Sequence, residues 1–458
     1  MEALAAIGLA SNVFQFIDFA LSLVSTFTQI HGSTEGSTAE LLNLETVYDK
    51  LQECDLDLTI TSSEQIPEGD PLMKQLLAIQ KLALTARADC ERLLTLVREL
   101  RIEHGSESRW KSTVMAIKTG FKGREIAGLD VNLRRTRATL TLHICVITSK
   151  YCTALNTVCI QLRSTSKAYH LEQHEQLENI EQMLEAIQAR IEAAEPHELS
   201  DIDELAKQMT DLTLATRGVA YKQQVISSLG FPCRLLRHDS IPEAYHRTYE
   251  WVFHAENSTY DKVARKKIGV LKWMESGTGI FWVSGKPGSG KSTFMKFVAD
   301  NQQTVTGLSK WAAPHTAIVA SHYFWVHGTP IQKSRQGLLQ TLLFELFRQH
   351  PPLIDAIYDK PWSAPSYSDS VVNNGWGLLK LQRLLRDIAD RKDSPFRLCL
   401  FIDGVDDYDG DHALSEHILA LSRSPHVKLC ISSRGWNVFE DAFGQFDKLY
   451  MSSPTATF

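Results

Sequence analysis

Several chemistries are set aside by what these 458 residues lack. The eight cysteines are scattered and form no C-x-x-C pair, so neither a zinc site nor a disulfide framework is indicated. Cys145, Cys152 and Cys159 recur every seven residues, the spacing of small core residues on one face of a packed helix. The N-terminus has no basic n-region of a signal peptide, and Glu2 stands where myristoylation needs glycine. Asn257-Ser-Thr259 matches a glycosylation sequon, but nothing accompanies it that suggests secretion, so a reducing, cytoplasmic setting is expected. A net charge of −6 argues against a general nucleic-acid binder. No repeat of solenoid length, no N-K-x-D guanine motif, no ABC-type signature and no substrate lid of a metabolic kinase is found.

What is present is Gly285-Lys286-Pro287-Gly288-Ser289-Gly290-Lys291-Ser292, which reads G-x-x-x-x-G-K-[ST]. It follows the apolar run Gly279–Ser284 and leads into Thr293–Ala299, which has helical character. Strand, glycine-rich loop and helix form the context of a phosphate-binding loop. Its glycines let backbone N–H groups turn inward around a polyphosphate, and the helix N-terminus adds partial positive charge. Lys291 adds a full charge, and Ser292 offers a hydroxyl to Mg²⁺.

The chain has two halves with different grammar. Residues 1 to about 235 read as helix. Leu4, Ile7, Val13, Phe14, Ile17, Leu21, Val24 and Phe27 leave only a thin polar stripe through Ser11, Gln15 and Asp18, the pattern of a helix buried on most sides. Ser37–Glu40 is a capping box, Asp70-Pro71 opens a long helix, and another runs from about Asp130 to Leu162. Leu177, Ile180, Leu184, Ile187 and Ile191 suggest a short coiled coil or a bundle helix. From about Ile241, β-rich runs at 279–284, 316–325, 397–402 and 427–432 alternate with helices, which predicts a parallel sheet covered on both faces. The expected fold is therefore α + α/β: an all-helical domain over 1–165, a helical or coiled-coil linker over 166–235, and a P-loop NTPase domain over 236–458.

Leu398–Ile402 ends in Asp403, the form of a Walker B strand whose carboxylate holds Mg²⁺. Asp406 and Asp407 follow and can orient or deprotonate an attacking water. Asp409 and Asp411 extend the acidic run, but the stretch lacks the glycine and glutamate of an EF-hand and reads as a solvated loop. The next run ends in Ser432-Ser433-Arg434, whose guanidinium is expected to sense a γ-phosphate.

These motifs resemble the NACHT branch of the STAND signalling NTPases. Asp403-Gly404-Val405-Asp406-Asp407 fits their arrangement of a small residue after the metal aspartate and then two acids, although the second acid is more often glutamate. Fungal members look especially close, through Ile241–His246, Tyr249–Phe253, Ser321–Trp325 and Trp436–Phe443. Gly8–Asn12 with Phe16–Phe19 is similar to HeLo-like N-terminal domains. The resemblance implies a switch in which ATP and Mg²⁺ drive self-association of the NTPase and helical domains. In fungi it is linked to non-self recognition (heterokaryon incompatibility) and programmed cell death. It also puts adenine contacts near 241–253. The chain stops at Phe458, shortly after the fourth expected strand and before the winged-helix region and sensor repeats usual in the family, as in a fragment or a short member.

The resemblance also raises contact with an anionic membrane. About ten Leu, Ile, Val and Phe side chains of the first helix contribute roughly −3 to −6 kcal/mol to insertion, while Asp18 costs about +3. Burial in a bundle gains about 1.5–3 kcal/mol per large side chain. The resting helix is thus expected inside its own domain. Residues 98–137, with ten Lys or Arg against five acids, could attract anionic lipid. Two other readings stay open: a non-enzymatic adaptor with structural nucleotide, and a membrane-active helical effector.

Overall fold

A computed structural model describes residues 2–32, 46–49, 71–102, 123–193, 202–244, 248–253, 262–357, 375–391, 394–410 and 413–451. The capping box at 37–40, the sequon at 257–259, Asp411 and residues 103–122 of the basic stretch lie outside them.

The chain divides into two compact units. The first comprises 1–161 and 175–216, the second 162–174 and 217–458. The first is all helix among its described residues: α1 (Glu2–Gly32), α2 (Pro71–Ile102), most of α3 (Gly123–Tyr169), α4 (His174–Glu192) and the first half of α5 (Ile202–Leu229). In α1, Ile7, Val13, Phe14, Ile17, Val24 and Phe27 are buried, as the near-continuous apolar pattern requires. Its polar stripe is matched inside the same unit. Ser11 and Gln15 donate to Asp203, and Arg137 pairs with Asp18 at 2.9 Å while lying over the Phe14 ring. Ala3–Ile30 is long and apolar enough to cross a membrane, but over half of its most apolar stretch is buried in the unit. In α4, Leu177, Ile180, Leu184 and Ile187 face inward, so the heptad-like spacing serves a bundle helix. Cys152 and Cys159 are buried on α3, with Cys145 half-buried, and burial pushes the Cys152 thiol up to about 11.

The second unit is built on a five-stranded, wholly parallel sheet. Its strands are β1 (Gly279–Gly285), β2 (Thr316–Tyr323), β3 (Phe396–Asp403), β4 (Val427–Ser433) and β5 (Asp447–Met451), in the order β2-β3-β4-β1-β5. The fifth strand corrects the expectation of four. It pairs along β1 at the sheet edge, Phe281 with Asp447 through Gly285 with Met451.

Alternation along each strand sends successive side chains to opposite faces and so makes two cores. Ile280, Trp282, Leu398, Leu400, Ile402, Leu429 and Ile431 enter one. That face is covered by the end of α5 and by α10 (Arg335–Gln349), α11 (Pro352–Ile357), α12 (Leu378–Ala389), α13 (Ala413–Ser422) and α14 (Asn437–Phe443). Phe281, Val283, Cys399, Phe401 and Cys430 enter the other, under α7 (Lys262–Ser276), α8 (Lys291–Asp300) and α9 (Gln302–Ala312). The five-residue helix α6 (Leu236–Ser240) precedes them.

One charged residue sits inside the second core. Lys428 on β4 is fully buried and donates to the carbonyls of Trp273 and Met274 in the last turn of α7. Its ammonium lies 4.4 Å from the Trp311 ring centre. Carbonyls at a helix C-terminus and an aromatic face both favour a cation, yet burial dominates and lowers its pKa to about 8.

Candidate functional site

The expected phosphate loop joins β1 to α8 at the C-terminal edge of the sheet, where open parallel sheets receive ligands. Gly288 and Gly290 adopt left-handed backbone at φ 73° and 85°. At Gly285 a Cβ would lie 2.6 Å from the Met451 carbonyl oxygen and 2.7 Å from Ser289 Oγ. Only glycine allows β5 and the loop to approach it so closely. Gly290 caps α8 without a side-chain hydrogen bond, so no side chain closes off the first-turn amides. Lys286, Pro287 and Gly288 are exposed, Ser289 is buried with a hydroxyl that has no partner among the described residues, and Thr293 is half-buried on α8.

Lys291 folds over this loop and donates to the carbonyls of Gly285 at 2.9 Å and Lys286 at 3.0 Å. Burial lowers its pKa, against the pull of Asp406 and Asp403. β4 lies between β1 and the strand that carries Asp403. Ser432 on β4 links the two sides: its hydroxyl donates to Asp403 Oδ1 and accepts the Gly404 N–H at 3.0 Å. Gly404 needs its left-handed φ of 71° to make that turn. Asp403 is 1% exposed, and its Oδ2 is buried without a hydrogen-bond partner among the described residues. Burial raises its pKa. The hydroxyls of Ser432 and then Ser292 oppose the rise, followed by Arg237 and Lys291. Ser292 and Asp403, 111 positions apart in the chain, are thus neighbours.

The acid pair and the arginine also meet. Arg434 Nε pairs with Asp406 at 2.9 Å, and the Arg434 backbone N–H donates to the same carboxylate at 3.1 Å. Asp407 lies farther from the guanidinium, at 3.9 Å. Burial and the neighbouring Asp406 raise the Asp407 pKa, while Arg434 and the Val326 N–H resist. Asp409 is exposed and pairs loosely with Lys333 at 3.7 Å, as a solvated loop residue does.

Three contributors were not read from the sequence in these roles. Tyr249 covers the start of α8: its hydroxyl donates to the Gly290 carbonyl at 3.3 Å, and its ring meets Phe294 edge-on at 5.3 Å. Ser432 was visible only as part of a Ser-Ser-Arg string. Arg237 on α6 has no motif around it, and only its place near Asp403 and Asp407 reveals it. A separate cavity of about 910 Å³ opens between α6, the end of β2 and α10, bounded by Tyr169, Arg234, His238, His322 and Phe344. None of residues 285–293 lines it.

Residues 261–434 match a family model described as Nephrocystin 3, N-terminal. The match runs from the start of α7 to Arg434 and so contains every phosphate-loop, metal and catalytic residue anticipated from the sequence, but not the 241–253 stretch expected near the adenine. That family is associated with NACHT and STAND proteins. With the P-loop NTPase-like fold, it supports a general nucleotide-binding and signalling role. No curated protein matches the chain, and no solved structure does.

Proposed function

We propose that the second unit binds Mg²⁺-ATP between the 285–293 loop and Asp403, and that this binding switches the assembly state of the protein. One observation carries the reading. An uncapped helix N-terminus, a lysine, a serine hydroxyl and a buried carboxylate oxygen without a partner among the described residues lie together at the sheet's C-terminal edge. An orphaned carboxylate oxygen is costly in a folded interior, and a hard cation satisfies it. Lys291 and the loop amides would hold β- and γ-phosphate. Ser292 and Asp403 would hold the metal, which supplies charge neutralisation of the phosphates. Arg434 would meet the γ-phosphate once released from Asp406, and Asp407, more loosely paired, would position water. ATP is preferred over GTP because no guanine motif is present.

Slow hydrolysis would reset the switch, and the helical unit, HeLo-like by resemblance, would transmit it by self-association. The resemblance to fungal NACHT proteins extends this to non-self recognition and regulated cell death. The test is calorimetric titration of ATP into wild-type protein and Lys291→Ala, with circular dichroism to follow the helical unit. The substitution is expected to abolish binding and leave helix content intact; unchanged affinity would overturn the proposal.

A specific observation favours a second reading. Both oxygens of Asp406 are taken by Arg434. With both oxygens engaged, Asp406 is not poised as a base, which suits an adaptor that holds nucleotide without turnover. Equal phosphate release by wild-type protein and an Asp406→Ala, Asp407→Ala double variant supports the adaptor. A clear loss in the variant supports hydrolysis.

A further inference from the structure

We propose that Arg237 contacts the terminal phosphate of the bound nucleoside triphosphate and makes the site prefer triphosphate over diphosphate. This rests on the nucleotide-binding reading above. Arg237 precedes the segment matched by the family model and belongs to none of the motifs.

Its helix is fastened to the nucleotide unit from several sides. His238 Nε2 lies 2.9 Å from Asp300 at the end of α8, and Lys296 of α8 donates to the Ile241 carbonyl at 3.1 Å. Ile241 is buried in the same core as Phe294 and Met295 of α8. The His238 ring sits 5.3 Å from that of Tyr323, and Tyr323 is the cross-strand partner of Asp403. A residue beside His238 is therefore delivered to the Asp403 side of the sheet edge.

Three cations surround the carboxylates there, and they differ in how their donors are used. Lys291 donates to two loop carbonyls, and Arg434 is paired with Asp406. The Arg237 Nε–H is buried and donates to nothing among the described residues. No ion pair within 4 Å involves this guanidinium among the described residues, yet its charge acts on Asp403 and on Asp407. An unspent guanidinium donor whose charge reaches Asp403 and Asp407 suits a planar, bidentate acceptor. Lys291 and the loop amides serve phosphates common to both nucleotides, whereas an arginine approaching from the Asp403–Asp407 side serves the phosphate that only the triphosphate has.

The experiment is calorimetric titration of the full chain with Mg²⁺ plus a non-hydrolysable ATP analogue, and with Mg²⁺ plus ADP, for wild type, Arg237→Gln and Arg237→Lys. Arg237→Gln is expected to weaken the analogue by about tenfold or more and to move ADP by less than about twofold. Arg237→Lys, which keeps the charge but not the fork, is expected to fall between. The ADP arm reports whether the site is still folded. Equal loss for both nucleotides means that Arg237 only balances carboxylate charge, and overturns the inference. So does an unchanged ratio in both variants. Wild-type protein that binds neither nucleotide overturns the nucleotide reading itself, and this inference with it.

Discussion

Replacing Gly290 by alanine should destabilise the second unit in two separable ways. Its φ of 85° is left-handed, which costs a residue with a Cβ roughly 1–2 kcal/mol. The new Cβ would also lie 2.7 Å from Tyr249 Oη, with the next atoms at 3.9 and 4.0 Å. Crowding of this kind costs about 1–3 kcal/mol. The expected total is about 2–5 kcal/mol. Gly288, with φ 73° and nothing within 4 Å of its Cβ, should pay the first cost alone when changed to alanine. Tyr249→Phe removes the clashing oxygen. In the wild type it forfeits only a long hydrogen bond of 3.3 Å, worth about 0.5–1 kcal/mol. In the Gly290→Ala background it should instead restore at least about 1 kcal/mol, a reversal of sign that a double-mutant cycle isolates. Urea unfolding followed by tryptophan fluorescence suits the measurement, because every tryptophan except Trp110 belongs to the second unit. For a domain of this size each kcal/mol moves the midpoint by about 2–4 °C in the parallel thermal experiment. If Tyr249→Phe harms the variant as much as the wild type, Tyr249 does not cover the loop as described.

Lys428, with its pKa lowered to about 8, binds fewer protons folded than unfolded between about pH 8 and its ordinary value of 10.5, so its contribution to stability rises with pH there. Wild-type protein should therefore gain stability relative to Lys428→Met as pH is raised from 8 to 10, in urea titrations at each pH. His322 is buried, without a partner for Nε2 among the described residues, and its pKa is lowered to about 3 by burial and by Arg234. The folded state resists protonating it, so wild-type stability should fall relative to His322→Gln as pH drops below 6.5, and parallel curves would contradict the burial. Asp18→Lys sets a second cation beside Arg137 and should cost the helical unit about 1 kcal/mol or less, because Asp18 is half-exposed. Chemical unfolding followed by far-ultraviolet circular dichroism checks it, and a loss of several kcal/mol would show that the pair is more than a surface bridge.

Much of the second unit was legible because its signals are local. β1 and β3 are near-continuous apolar runs, as central parallel strands must be, and the loop glycines follow β1 directly. β5 was not legible: it is short, lies at the sheet edge, and only Leu449 of its five residues is buried. The pairing of Asp406 with Arg434 and the bridge from Ser432 to Asp403 join residues 28 and 29 positions apart, and no sequence period records such contacts. Lys428 interrupts an apolar strand and reads as an anomaly until the end of α7 supplies its acceptors. Arg237 and Tyr249 stand outside the phosphate-loop motifs and reach the site through packing alone. In the first unit the periodicity of α1 and α4 was sufficient for helix and buried face. The division of α3 and α5 between two units depends on tertiary contacts that periodicity does not carry.

The decisive measurement is the affinity of a non-hydrolysable ATP analogue as a function of Mg²⁺ concentration, in wild-type protein and in Asp403→Asn. Wild-type affinity should rise as the metal is added, and the variant should lose that rise while retaining its metal-free affinity. Identical Mg²⁺ dependence in the two proteins would contradict a metal-bound triphosphate held between the loop at 285–293 and the carboxylate at 403.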